Sequence, residues 1–83
     1  MTSFENAVLQ VKNLPQKPTN DELLKLYGLY KQATVGDNNT SQPGFLDIKG
    51  KAKWNSWNSY KGLSNESAKE QYVNFVKELQ NKY

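Results

Sequence analysis

The chain has 83 residues, enough for one domain with a modest core, since a chain this short buries only about 60% of its unfolded surface. It contains no cysteine and no histidine, which excludes a disulfide framework, a thiolate or imidazole metal site, and the commonest general base of enzymes. Eleven lysines and no arginine stand against eight carboxylates, for a formal charge of +3. Lysine is a mobile point charge that suits phosphate groups, whereas arginine's planar fork is favoured for reading base edges.

The N-terminus, Met-Thr-Ser-Phe-Glu-Asn, lacks the basic stretch and apolar run of a signal peptide. No window approaches the length needed to cross a bilayer, and the expected compartment is the reducing cytoplasm. A first helix is expected after Thr2, which stands at capping-box spacing from Glu5, with Phe4, Ala7, Val8 and Val11 on one face. Leu14-Pro15 and Lys17-Pro18 stop it. A second capping box, Thr19 with Glu22, opens a helix that carries Leu23, Leu24, Tyr27 and Tyr30 and runs to about Val35, before Gly36. Gly28, read as an exposed position, is its weak point.

From Asp37 to Gly44 the chain has turn chemistry, and this is its longest loop. A short third helix covers Gly50 to Tyr60 and is closed by Gly62. The fourth starts at Ser64, and Ala68, Tyr72, Phe75, Val76 and Leu79 form its amphipathic stripe. No segment sustains the alternation of a strand. The fold class is therefore all-α, a four-helix bundle in one domain over residues 1–83, and the long loop frees it from a strict up-down-up-down order.

Candidate chemistry is sparse. Asp21 with Glu22, or Asp37 with Asp47, have the makings of an acid/base pair or a hard-cation site, yet capping and loop solvation account for each. Neither catalysis nor a metal is expected. Tyr27 has Tyr30 and Lys31 three and four residues on, which puts two phenol rings and an ammonium in one patch. Such a patch offers a flat face to a purine and charge to a phosphate; taken alone, half-buried core tyrosines beside a solvated lysine fit the pattern better. Lys49, Lys51 and Lys53 crowd the start of the third helix, where the positive end of the helix dipole favours acids. A bound anion would resolve that conflict. Trp54 and Trp57 read as core, while Lys12 and Tyr72 stand either beside a ligand groove or in purely structural places.

The ordered run Tyr30-Lys31-Gln32-Ala33-Thr34-Val35-Gly36-Asp37, then Pro43-Gly44, then Lys49-Gly50-Lys51-Ala52-Lys53-Trp54-Asn55-Ser56-Trp57 resembles the acyl-CoA-binding protein family. Phe4, Leu14, Lys17-Pro18, Tyr27, Gly62, Ser64, Ala68, Tyr72, Val76 and Leu79 extend the resemblance to the whole chain. It implies an up-down-down-up bundle that binds medium- to long-chain acyl-CoA, acts as a carrier and pool former, and needs no cofactor. By the same resemblance Tyr27, Tyr30, Lys31 and Lys53 hold the adenine and the ribose 3'-phosphate, Lys12 and Lys49 line the site, Tyr72 contacts the ligand, and Leu23 and Leu24 flank the acyl chain. Trp54, Trp57, Phe4, Val76 and Leu79 are packing positions. Val8, bulkier than the family's usual alanine, is expected to narrow the space near the acyl chain, and Gln42 to alter loop charge. Expected partners are acyl-CoA and enzymes that use it, with no nucleic acid, at most transient membrane contact, and a monomeric state. A single-stranded nucleic-acid binder, the rival suggested by a pI near 9.2, would lose affinity steeply with salt.

Overall fold

The computed structural model describes residues 3–83. Four helices follow one another, α1 (Ser3–Val11), α2 (Asn20–Thr34), α3 (Ile48–Asn58) and α4 (Asn65–Lys82), with no strand among the described residues. The Thr2 end of the capping box expected for α1 lies outside the described residues. The others are formed. Thr19 Oγ1 accepts from the Glu22 N–H at 3.2 Å, and Glu22 Oε1 accepts from the Thr19 N–H at 2.8 Å. Ser64 accepts from the Ser67 N–H at 3.1 Å to start α4. Gly36 takes φ +104°, a left-handed conformation that favours glycine, just after the last turn of α2. Helix α3 begins earlier than the sequence suggests, because Asp47 caps it by accepting from the Gly50 N–H at 3.0 Å.

The helices pack in a row: α1 on α4, α4 on α2, and α2 on α3. The buried cluster is built from Phe4 and Ala7 of α1, Leu26, Leu29 and Ala33 of α2, and Ala68, Tyr72, Val76 and Leu79 of α4. The apolar stripe expected on α4 thus faces inward, except that Phe75 is half-buried, with the Lys25 ammonium 4.3 Å from its ring centroid.

Gly28 is buried, contrary to expectation, and α3 passes close beside it. A Cβ there would stand 2.8 Å from the Ser56 carbonyl oxygen and 2.8 Å from the Tyr60 ring. Ser56 exploits the proximity by donating its hydroxyl to the Leu24 carbonyl at 2.5 Å. The two tryptophans differ in role. Trp57 is buried and donates to the Gly36 carbonyl at 2.7 Å; Trp54 is only half-buried and holds the long loop by donating to the Thr40 carbonyl at 3.1 Å. Asp37 fastens the other end of that loop, accepting from the Gly62 N–H at 2.8 Å and from Gln32 Nε2 at 2.8 Å. Those two donors, the Gly62 amide first, hold its carboxyl below the usual range.

Glu22 also reaches the end of the chain. Beyond its capping bond it accepts from the Tyr83 hydroxyl at 2.5 Å and from Lys82 Nζ at 2.9 Å. Lys82, then Tyr83, then the Thr19 N–H lower its pKa from 4.5 to about 2. A carboxylate whose pKa falls on folding contributes stability above its unfolded value and loses it as pH drops through the folded one. Acid titration between pH 4.5 and 2 is therefore expected to destabilise the parent more steeply than Glu22→Gln. Superimposable acid-unfolding curves would contradict this role for Glu22.

Candidate ligand-binding groove

Two cavities share a wall on α2. The first, about 470 Å³, opens between the starts of α2 and α3 and has an aliphatic floor of Leu23, Leu24 and Ala52, with the exposed Ile48 and Lys17, Lys49 and Lys53 around it. The second, about 400 Å³, has tyrosine walls, Tyr27, Tyr30 and Tyr72, with Val11, Lys12 and Pro18 at its edge. Leu23 and Tyr27, one helical turn apart, line both. No carboxylate lines either cavity, while four lysines do. Low-dielectric walls focus such one-signed charge, and the chemistry of the lining suits an anion that carries both flat and aliphatic parts.

Each side chain is placed by local structure. Tyr72 is 4% exposed and lies edge-on to Phe4, with ring centroids 5.1 Å apart. Burial, and then the neighbouring Tyr30, pushes its phenol pKa up, so it stays a neutral donor. Tyr30, 6.3 Å from Tyr72 between centroids, is 40% exposed and presents ring surface to solvent. Lys53 holds its ammonium 5.6 Å from the Tyr27 ring centroid, bridging α3 to the shared wall. The crowding of lysines at the start of α3 is partly offset by the Asp47 carboxylate that caps the same helix.

Of the residues singled out in the sequence, Lys12, Leu23, Leu24, Tyr27, Tyr30, Lys49, Lys53 and Tyr72 are brought together here. Lys31 is not. Its ammonium rests 4.8 Å from the centroid of the Trp57 ring and lines neither cavity. Ile48 and Ala52 also line the aliphatic cavity, and their spacing of four puts them on one face of α3 once Asp47 is its N-cap. Val8 does not narrow the aliphatic cavity; it lines a separate hollow with Phe4, Glu5, Leu9 and Tyr30. Gln42 donates to Asn55 Oδ1 at 3.3 Å and ties the loop to α3.

The model of the acyl CoA binding protein family matches residues 1–76. The chain belongs to that family. It is 54% identical over 80 residues to the acyl-CoA-binding protein homolog of Drosophila melanogaster, covering 96% of this chain and 93% of the fly protein. With acyl-CoA-binding protein homolog 1 of Caenorhabditis elegans the identity is 56%, covering 98% and 94% of the two chains. Solved structures agree. Acyl-CoA-binding protein 2 of Oryza sativa superposes with a TM-score of 0.92 at 41% identity, covering 96% of this chain and 87% of its own. The protein of Moniliophthora perniciosa gives 0.90 at 46% identity, covering 99% and 83%. These neighbours share the four-helix bundle. As a member of a family of binding proteins the chain is not an enzyme, and acyl-CoA is its ligand rather than a cofactor. The carboxylates weighed as an acid/base pair have structural tasks instead: Glu22 and Asp47 cap helices, and Asp37 fastens the loop.

Proposed function

We propose that this acyl-CoA binder uses the paired cavities as its site, with the nucleotide head against the tyrosine walls and the acyl chain in the aliphatic cavity. The observation that carries the reading is that three tyrosines line one cavity while the other has no aromatic but the shared Tyr27, both inside a rim of lysines without a carboxylate. Tyr27 and Tyr30 offer faces to the adenine. The 3'-phosphate monoester, with about −1.5 to −2 charges near neutral pH, is matched by Lys53 and by Lys31 once it leaves Trp57. Giving up that cation–π contact costs about 0.5–1 kcal/mol, less than a charge-assisted phosphate bond returns. Lys12 and Lys49 meet the remaining phosphates, and Tyr72 closes the aromatic side.

Leu23, Leu24, Ile48 and Ala52 are suited to methylenes, each worth about 0.8 kcal/mol when buried, or roughly fourfold in affinity. Calorimetry over a chain-length series is expected to show affinity rising about a thousandfold for every five methylenes until the cavity is filled. Equal affinity for free CoA and a long-chain ester would sink the assignment of the aliphatic cavity.

The carrier acts as one domain over residues 1–83, a cytoplasmic monomer that passes its ester to enzymes that use acyl-CoA. Among the described residues no helix is long and apolar enough to cross a membrane. Phe45, Leu46 and Ile48, each at least 78% exposed, with Ile48 at the edge of the aliphatic cavity, are the surface a transient membrane contact would use. Native mass spectrometry of protein isolated from cells tests the monomer and the retained ester together; a dimer, or protein carrying no ester, would count against this account.

A further inference from the structure

We propose that the hydrogen bond from Tyr83 to Glu22 is a positioning contact for ligand binding, fixing to the end of α4 the segment 17–24 that lines both cavities. The proposal rests on the site assignment above. Lys17, Pro18, Asn20, Leu23 and Leu24 line one cavity or both. Thr19 and Glu22, interleaved with them, line neither and turn to one another and to the chain's end.

The Glu22 side chain is 14% exposed and serves three donors: the Thr19 N–H at 2.8 Å, the Tyr83 hydroxyl at 2.5 Å and Lys82 Nζ at 2.9 Å. Lys82 is 57% exposed, so solvent screens its share. Tyr83 is partly buried, packs against the core cluster, and shares a hollow with Leu14 and Pro15 of the α1–α2 connection. Helix α1 meets α2 farther along, where Phe4 stacks on Tyr30 with ring centroids 5.9 Å apart, whereas the first turn of α2 is tied to the end of α4. The carboxylate therefore does two things with one group: it caps α2 and sets where its first turn sits on α4. Without the Tyr83 hydroxyl the cap survives, but Leu23 and Leu24 lose their fixed place, and the ligand has to re-order them on binding.

The test is calorimetry of hexadecanoyl-CoA with the whole chain and its variants. Tyr83→Phe keeps the ring and removes the donor; it is expected to raise the dissociation constant about three- to tenfold, the range of a net hydrogen bond. Glu22→Ala should do at least as much, Glu22→Gln less because it keeps an acceptor, and the Tyr83→Phe/Glu22→Ala double variant no more than Glu22→Ala alone. Amide exchange at Leu23 and Leu24 should quicken in ligand-free Tyr83→Phe and slow again on binding, a change that a loss of global stability alone would not confine to this turn. An unchanged dissociation constant in Tyr83→Phe, with Lys53→Ala weakened and whatever the melting temperature, overturns the positioning role and leaves the site standing. If Lys53→Ala is also unchanged, the site assignment falls and the positioning role with it. Should Glu22→Ala fail to fold, Tyr83→Phe and Glu22→Gln decide the matter.

Discussion

Gly28→Ala is expected to destabilise the protein by about 2–4 kcal/mol, as overpacking with a lost buried hydrogen bond does, and to lower its melting temperature by roughly 10–25 °C in a domain of this size. The sign is the informative part. At an exposed position inside a helix, the same substitution would stabilise by up to about 1 kcal/mol, because alanine is the better helix former. Here the added methyl would meet the Ser56 carbonyl oxygen at 2.8 Å, and backbone cannot step aside without moving α3 as a whole. The Ser56 hydroxyl would be driven from the Leu24 carbonyl as well. Since α3 carries Ile48, Lys49, Ala52 and Lys53 into the aliphatic cavity, affinity should fall together with stability. Thermal unfolding decides it, and a variant more stable than the parent would show that the two helices do not approach this closely.

Lys53→Ala and Lys31→Ala are expected to weaken acyl-CoA binding by about tenfold or more each, the loss of one charge-assisted hydrogen bond to phosphate. Lys77→Ala, on the exposed face of α4, should stay within about twofold. The two site lysines need not be equal. Lys53 already leans over Tyr27 at the shared wall, whereas Lys31 has to leave Trp57 before it can reach a phosphate. Part of its attraction is therefore spent, and Lys31→Ala should be the milder of the pair. Three indistinguishable affinities in calorimetry would refute the placement of the head. Because few phosphates are contacted, salt should depress affinity only gently, in contrast to the steep slope of a nucleic-acid binder.

The parts of the fold legible in the sequence are those governed by local chemistry. The Thr19–Glu22 box, Ser64 and the α4 stripe each announce themselves within a few residues, and the structure forms all of them. Gly28 looks exposed in the sequence because its burial is decided by Ser56 and Tyr60, far along the chain. The start of α3 is hidden in the sequence because Asp47 follows a stretch rich in turn residues, where an N-cap looks like one more loop carboxylate. The candidate site divides in the same way. Tyr27 and Tyr30 share a face by helical spacing, and the cavity confirms it. Lys31 shares that spacing too, but its long side chain has a second aromatic within reach, Trp57 on α3, which only the packing of α2 on α3 supplies. Residue type and period find rigid rings; they do not fix the end of a flexible lysine.

The row in which the helices pack bears on how a ligand gets in and out. Helix α3 stands at one end of it, touching α2 alone among the helices, and contributes only Trp57 to the buried residues. No α3 residue belongs to the buried cluster of α1, α2 and α4, so parting α3 from α2 breaks the Ser56–Leu24 hydrogen bond and uncovers Trp57 while that cluster stays packed. The aliphatic cavity lies on that seam. A tail seated there adds its own apolar contacts to both sides of the seam, so a long ester slows the very opening through which it would escape. Residence time is then expected to lengthen with the ester's chain while the α1–α4–α2 cluster stays folded, so that a carrier of modest overall stability can hold a long-chain ester and release it whole.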